Sequence, residues 1–261
     1  MYSIALSVDG KEVVSGGSDF AVRLWSIDTG KVVAKWTGHT HIIWSVRWNR
    51  DCQRVLSGSW DGTARVWDVE TGETVLEINT GLREVYTAIF SPDSTLIATG
   101  GNSPEGEFIK IWDANTGKLV VILKGHTRSV ACLAWTADGR TLVSGSVDST
   151  VGTWNTSTWE QLAVLTGHTG SVWGIAISPN GCILASASWD NTARLWNLDN
   201  GQSIGSPLQH PKEVNSVSFS RDGTLLATGC DDHNAYMWNL SEIIKDAGLN
   251  ELLVGCPFHL S

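Results

Sequence analysis

The stretch Leu184–Gly201, LASASWDNTARLWNLDNG, decides the fold. Small and apolar residues alternate up to Ser188, break at Trp189-Asp190-Asn191, alternate again through Thr192–Leu198, and break at Asp199-Asn200-Gly201. Alternation with a period of two between turn residues is the pattern of short strands. The stretch recurs as VSGGSDFAVRLWSIDTG at Val14–Gly30, LSGSWDGTARVWDVETG at Leu56–Gly72 and VSGSVDSTVGTWNTSTW at Val143–Trp159, and again as ATGCDDHNAYMWNL at Ala227–Leu240. The strand tryptophans Trp25, Trp67, Trp112, Trp154, Trp196 and Trp238 lie 42, 45, 42, 42 and 42 residues apart. A fixed period of that size marks an array of like units.

Each period reads as four strands. In the fifth, SVWGIAIS turns at PNG, CILASAS at WDN, and TARLWNL at DNG, before QSIGSPL leads onward. One such sheet cannot bury both faces. Stacking several around an axis buries them and leaves few free edges. The chain is therefore expected to be an all-β propeller of six four-stranded blades in a single domain, 1–261. Its repeats fall at about 1–36, 37–79, 80–123, 124–165, 166–208 and 209–261.

Composition narrows the function. A formal charge of −9 argues against a nucleic-acid backbone as ligand and against an anionic membrane surface. No apolar run approaches the roughly 18 residues of a spanning helix. The start, MYSIALSVDGKEVV, alternates like a strand and lacks the basic and apolar segments of a signal peptide. Cys52, Cys132, Cys182, Cys230 and Cys256 are scattered and form no CxxC pair, which disfavours a disulfide framework or a zinc site. The expectation is an intracellular protein with no metal or cofactor, whose reduced cysteines mostly fill space.

The period, the dipeptides Gly38-His39, Gly125-His126 and Gly167-His168, the aspartate six residues before the strand tryptophan, and Trp67-Asp68 together resemble the WD-repeat (β-transducin-like) family. The resemblance covers roughly residues 1–240. It implies a β-propeller, usually of seven blades, serving as a rigid platform for protein–protein contacts. The tail KDAGLNELL is similar to the ends of fungal WD-repeat paralogues. Two layouts follow. Ser241–Ala247 as a short helix, N-capped by Ser241 and followed by Gly248 at C′, would let ELLVGC supply a fourth strand and complete six blades. Alternatively, the chain is a fragment of a seven-bladed parent.

Ser, His and Asp recur together: Ser57 or Ser59 with His39 and Asp61, Ser144 or Ser146 with His126 and Asp148, Ser186 or Ser188 with His168 and Asp190. A catalytic triad is needed once, whereas this set appears in every well-formed repeat. The family resemblance makes each set, with Trp67, Trp154 or Trp196, a buried hydrogen-bonded tetrad, and extends it to His210, Asp232 and Trp238. The third repeat departs from the pattern. Gly81 stands where histidine belongs, GGNSPEGEF displaces the aspartate, and Gly106 falls six residues before Trp112. This blade is expected to be the least rigid, its Glu105 and Glu107 suited to a basic ligand.

Alignment by period sorts the 14 tryptophans. The strand set, with Trp48, Trp135 and Trp36, falls in apolar columns and reads as core. Trp60 and Trp189 align with Ser18, Val147 and Asp231; Trp44 and Trp173 align with Tyr2, Tyr86, Ala131 and Asn215. Mixed columns are what exposed positions look like, and in the resembling family these two line the top face, the usual partner site. Trp159 replaces a turn glycine and receives no role. Tyr2, Trp44, Trp60, Tyr86, Trp173 and Trp189 are thus candidate contacts for a protein or peptide, basic or amphipathic, on a non-enzymatic scaffold or adaptor. The alternatives are a carbohydrate-binding propeller, since exposed tryptophans also stack on sugars, and the sensor or adaptor portion of a larger multidomain protein.

Overall fold

The structure, a computed structural model, describes residues 1–254. Six repeats of short antiparallel strands follow one another, and the fold class is the all-β propeller. The chain divides into two compact units, Met1–Trp135 and Thr136–Ser261.

The first unit holds three complete sheets, each meandering in chain order. Their strands are Ser3–Leu6, Glu12–Gly16, Ala21–Ser26 and Val32–Thr37; Ile43–Trp48, Arg54–Ser59, Thr63–Asp68 and Thr74–Asn79; and Glu84–Phe90, Leu96–Asn102, Ile109–Asp113 and Leu119–Leu123. The first strand of repeat four, Val130–Trp135, belongs to the same unit. The second unit continues with Thr141–Ser146, Val151–Asn155 and Gln161–Leu165. Then comes the four-stranded sheet Val172–Ile177, Ile183–Ser188, Thr192–Asn197 and Ser203–Gln209, and the sheet Val214–Phe219, Leu225–Cys230 and Ala235–Asn239.

The first hairpin of repeats one, three, four, five and six is built by one local device. Ser7 Oγ donates to Asp9 at 2.6 Å, and the Asp9 carboxylate accepts the Lys11 N–H. The same turn recurs at Ser91/Asp93, Thr136/Asp138, Ser178/Asn180 and Ser220/Asp222. A short polar side chain that bonds its own backbone two residues on favours a turn over strand continuation. The next residue sits in the left-handed region, as Gly10 does at φ 73°. Cys52 fills the same slot at φ 59°.

Alternation then sends one face of each sheet into a core shared with its neighbour. Val14, Val22 and Leu24 of the first sheet pack with Ile43, Val46, Val55 and Trp67 of the second. Leu56, Ala64 and Val66 of the second pack with Val85, Ala88, Ile97 and Trp112 of the third. Trp36, Trp67, Trp112, Trp154 and Trp196 are buried as expected. Trp25, Trp48, Trp135 and Trp238 are only half-buried. Trp67 stacks on Trp36 of the preceding repeat.

The tail corrects the reading of ELLV as the start of a fourth strand. Helix α1 spans Leu240–Asp246 and is capped by Asn239, whose side chain accepts the Ser241 N–H, so Ser241 is not the N-cap. The helix starts early because Leu240 and Ile244, four apart on one face, both bury completely. Gly248 follows the C-cap Ala247 at φ 72°, the C′ position expected of it. Glu251–Val254, read as strand, forms a second short helix, α2. Leu252 is buried in the cluster with Leu226, Ile204 and Leu195, and that docking replaces strand pairing. Gly255 and Cys256 lie outside the described residues. The last sheet has three strands, and the outer edge of Ala235–Asn239 pairs with no further strand among the described residues. Cys182, in the same cluster, is disulfide-bonded and not merely space-filling; Cys52, Cys132 and Cys230 are free thiols.

Candidate functional site

The repeated Ser, His and Asp form structural networks. In repeat two, His39 Nδ1 lies 2.8 Å from Asp61 and Nε2 lies 2.7 Å from Ser57 Oγ, which also accepts the Trp67 indole N–H at 2.7 Å. Thr63 adds a 2.7 Å bond to Asp61. Repeat five repeats this arrangement with His168, Asp190, Ser186, Trp196 and Thr192. Burial pushes Asp61 and Asp190 up, but bonds from histidine and threonine outweigh it and hold both carboxyls well below the usual range. Ser57 and Ser186 are completely buried, so neither hydroxyl meets solvent as a nucleophile would. In repeat four, Trp154 donates to Ser144, Thr150 donates to Asp148, and His126 is buried.

Repeat six departs from the expected tetrad. His210 Nε2 reaches Thr228 Oγ1 at 2.7 Å and Trp238 donates to the same oxygen. Asp232, however, accepts from Tyr236 Oη at 2.5 Å, and His210 Nδ1 turns to the Leu208 carbonyl. Tyr236 stands where Arg65 and Arg194 stand in other repeats, and its hydroxyl takes the carboxylate.

In repeat three the missing histidine is replaced by a cation. A side chain at Gly81 would meet Lys110 Nζ at 3.2 Å, and that ammonium pairs with Glu107 at 3.1 Å. Glu107 is therefore engaged internally and not offered to a basic ligand. Trp112 bonds Thr99 in place of a serine, and Ser103 Oγ accepts the N–H groups of Glu105 and Glu107.

The mixed tryptophan columns form two aromatic clusters, one in each unit. In the first, Tyr2 stacks on Trp44 at 4.6 Å between centroids, and Trp44 stacks on Trp60 at 5.0 Å. Tyr86 meets both tryptophans at 6.3–6.4 Å. The line continues through rings that period alignment had not singled out. His41 lies against Trp60, and Phe20 stacks on His41. Phe20 holds a left-handed backbone at φ 65°, a conformation costly for a bulky residue. Tyr86 Oη donates to Glu84, which also accepts from Asn102; burial, and then the hydrogen bond to Glu84, push the phenol far up. Tyr2 and Phe20 are exposed, whereas Trp44, Trp60 and Tyr86 are half-buried by one another.

In the second unit Trp173 stacks on Trp189 at 4.8 Å. Trp189 remains 44% exposed, yet its indole N–H donates to Asn215 Oδ1 at 2.8 Å, and Asn215 Nδ2 donates to Asp231 at 2.7 Å. Asn215 occupies the column of Trp173, and Asp231 the column of Trp189. That shared spacing was the available signal for their roles.

Polar networks threaded through successive antiparallel sheets, with aromatic side chains gathered at the strand entrances, define a repeat-built β-propeller protein. The chain belongs to the WD40 family (WD domain, G-beta repeat), which matches residues 1–26, 30–68, 75–113, 117–155, 159–197 and 201–239. Over 159 residues it is 33% identical to Autophagy-related protein 16 of Arabidopsis thaliana, covering 58% of this chain and 30% of that protein. It is 28% identical over 155 residues to the U3 small nucleolar RNA-associated protein 15 homolog of Xenopus laevis, covering 58% and 29%. It is 37% identical over 67 residues to the Periodic tryptophan protein 2 homolog of Caenorhabditis elegans, covering 26% and 7%. The chain thus spans less than a third of each relative. No helix among the described residues is long and apolar enough to cross a membrane.

Proposed function

We propose that this chain is a non-enzymatic interaction module that binds a peptide segment of a protein partner through its aromatic clusters, Tyr2, Trp44, Trp60 and Tyr86 in one unit and Trp173 and Trp189 in the other. The observation that carries the reading is the state of Trp189. It is exposed, yet fixed by stacking and by a hydrogen-bonded chain. Immobilised aromatic rings lose little entropy on binding, and tryptophan is enriched where interface energy concentrates. Relatives named for autophagy and for U3 small nucleolar RNA support a module reused in different settings. The acidic balance of the chain favours a basic or amphipathic segment.

The test is selection of displayed random dodecapeptides on the wild type and on a Trp44→Ala/Trp189→Ala variant of matched circular dichroism. The expected result is a family of peptides enriched by the wild type alone. Equal enrichment on both proteins, or none on either, overturns the reading.

A further inference from the structure

The cluster in the second unit carries more chemical information than its aromatic character. Trp189 stacks one face on Trp173, and the residue stays 44% exposed. Its N–H is already spent on Asn215. The ring therefore has no donor left for a ligand acceptor and offers only a π surface, whose quadrupole attracts cations. Asp231 lies two hydrogen bonds away. One of its oxygens takes the Asn215 amide, and no cation pairs with it among the described residues. Its backbone N–H bonds the Glu213 carbonyl, which fixes the turn on which the carboxylate sits. Lys212 and Glu213, both exposed, are the flanking charges on the adjoining segment, and they offset each other.

A π face and an unpaired carboxylate, held in fixed relation by Asn215, call for one kind of side chain: planar, cationic, and able to stack while donating from its edge. Guanidinium does both at once. Ammonium is a strongly hydrated point charge that cannot stack and fork together. We infer that Trp189, Asn215 and Asp231 form an arginine-binding subsite, with the guanidinium lying on the free face of Trp189 and donating to Asp231. This rests on the peptide-binding reading above and names the side chain that such a peptide brings to this unit. Asn215 is a positioning residue that ties the ring to the carboxylate.

The test takes the tightest dodecapeptide selected by the wild type and titrates it calorimetrically, with each arginine replaced in turn by citrulline, its neutral isostere, and by lysine. Each form is measured against the wild type, Asp231→Asn and Asn215→Ala. One arginine is expected to be required. Citrulline there, or Asp231→Asn, weakens binding by roughly tenfold or more, and the two together weaken it little further, because both remove one charge-assisted contact. Lysine recovers only part of the loss. The citrulline comparison on wild-type protein does not depend on how any variant folds. Peptides that need Trp189 but bind equally with citrulline, or effects of citrulline and Asp231→Asn that add in full, overturn the arginine subsite and leave the peptide-binding reading standing. Failure to select any peptide overturns both.

Discussion

Trp60 and Trp67 are seven positions apart in one repeat, and their indole nitrogens have opposite fates. Trp67 Nε1 donates to the buried Ser57 at 2.7 Å. Trp60 Nε1 is buried against its neighbours with no hydrogen-bond partner. An unmet buried donor costs roughly 1–3 kcal/mol, so Trp60 gives up stability for its place between Trp44 and His41. Phenylalanine keeps much of the stacking area and removes the donor. Urea denaturation of Trp60→Phe is expected to leave stability within about 1 kcal/mol of wild type, while Trp67→Phe loses about 1–3 kcal/mol by leaving the buried Ser57 oxygen without its indole donor. Equal losses would show that the Trp60 nitrogen is satisfied in solution. Phe20 adds a second local cost on the same face through its left-handed backbone. Such costs gather where a surface is shaped for something other than stability.

At the scale of one repeat, the third blade shows how a lost tetrad is replaced. Lys110 is 7% exposed and pairs with Glu107, filling the space beside Gly81. Removing only the acid strands a buried ammonium, whereas removing both partners leaves an apolar site. Glu107→Gln is expected to destabilise by about 1–3 kcal/mol, and the Glu107→Gln/Lys110→Met double variant to recover most of that in chemical denaturation. The exchange was not legible in sequence. Spacing showed that Gly81 lacked a histidine, but Lys110 sits 29 residues later, and only folding brings it there. The tail was misread for a related reason. ELLV is apolar enough for either period, and the buried cluster under Leu240, Ile244 and Leu252 decides for helix. By contrast, the strands, their turns and the two aromatic columns were readable, because each recurs at one spacing and every repeat checks the others. The Asn215–Asp231 chain was half visible: its columns were known, but the hydrogen bonds that give those columns meaning are not a property of spacing.

For the whole chain, acid should act in two stages. Burial depresses the His210 pKa below the ordinary imidazole value of 6.5. Below 6.5 the unfolded chain therefore takes up a proton that the folded chain does not, and stability falls as pH falls through that window. The carboxyls of Asp61 and Asp190 are held below the ordinary 3.8. They contribute fully above that value, and their contribution is lost as pH falls from there through their folded values. Denaturation midpoints measured from pH 8 to 3 are expected to decline in both windows. His210→Gln should flatten the upper decline, and Asp190→Asn the lower; a profile unchanged by either variant would refute the assignment. The same bonds leave a further mark. The ring nitrogens of His39 and His168 that face Asp61 and Asp190, and the one of His210 that faces a carbonyl, each hold a labile hydrogen shut away from water. In heavy water those hydrogens leave only when their own repeat opens. Repeats two, five and six thus each carry an internal clock for local opening, readable one blade at a time without any label.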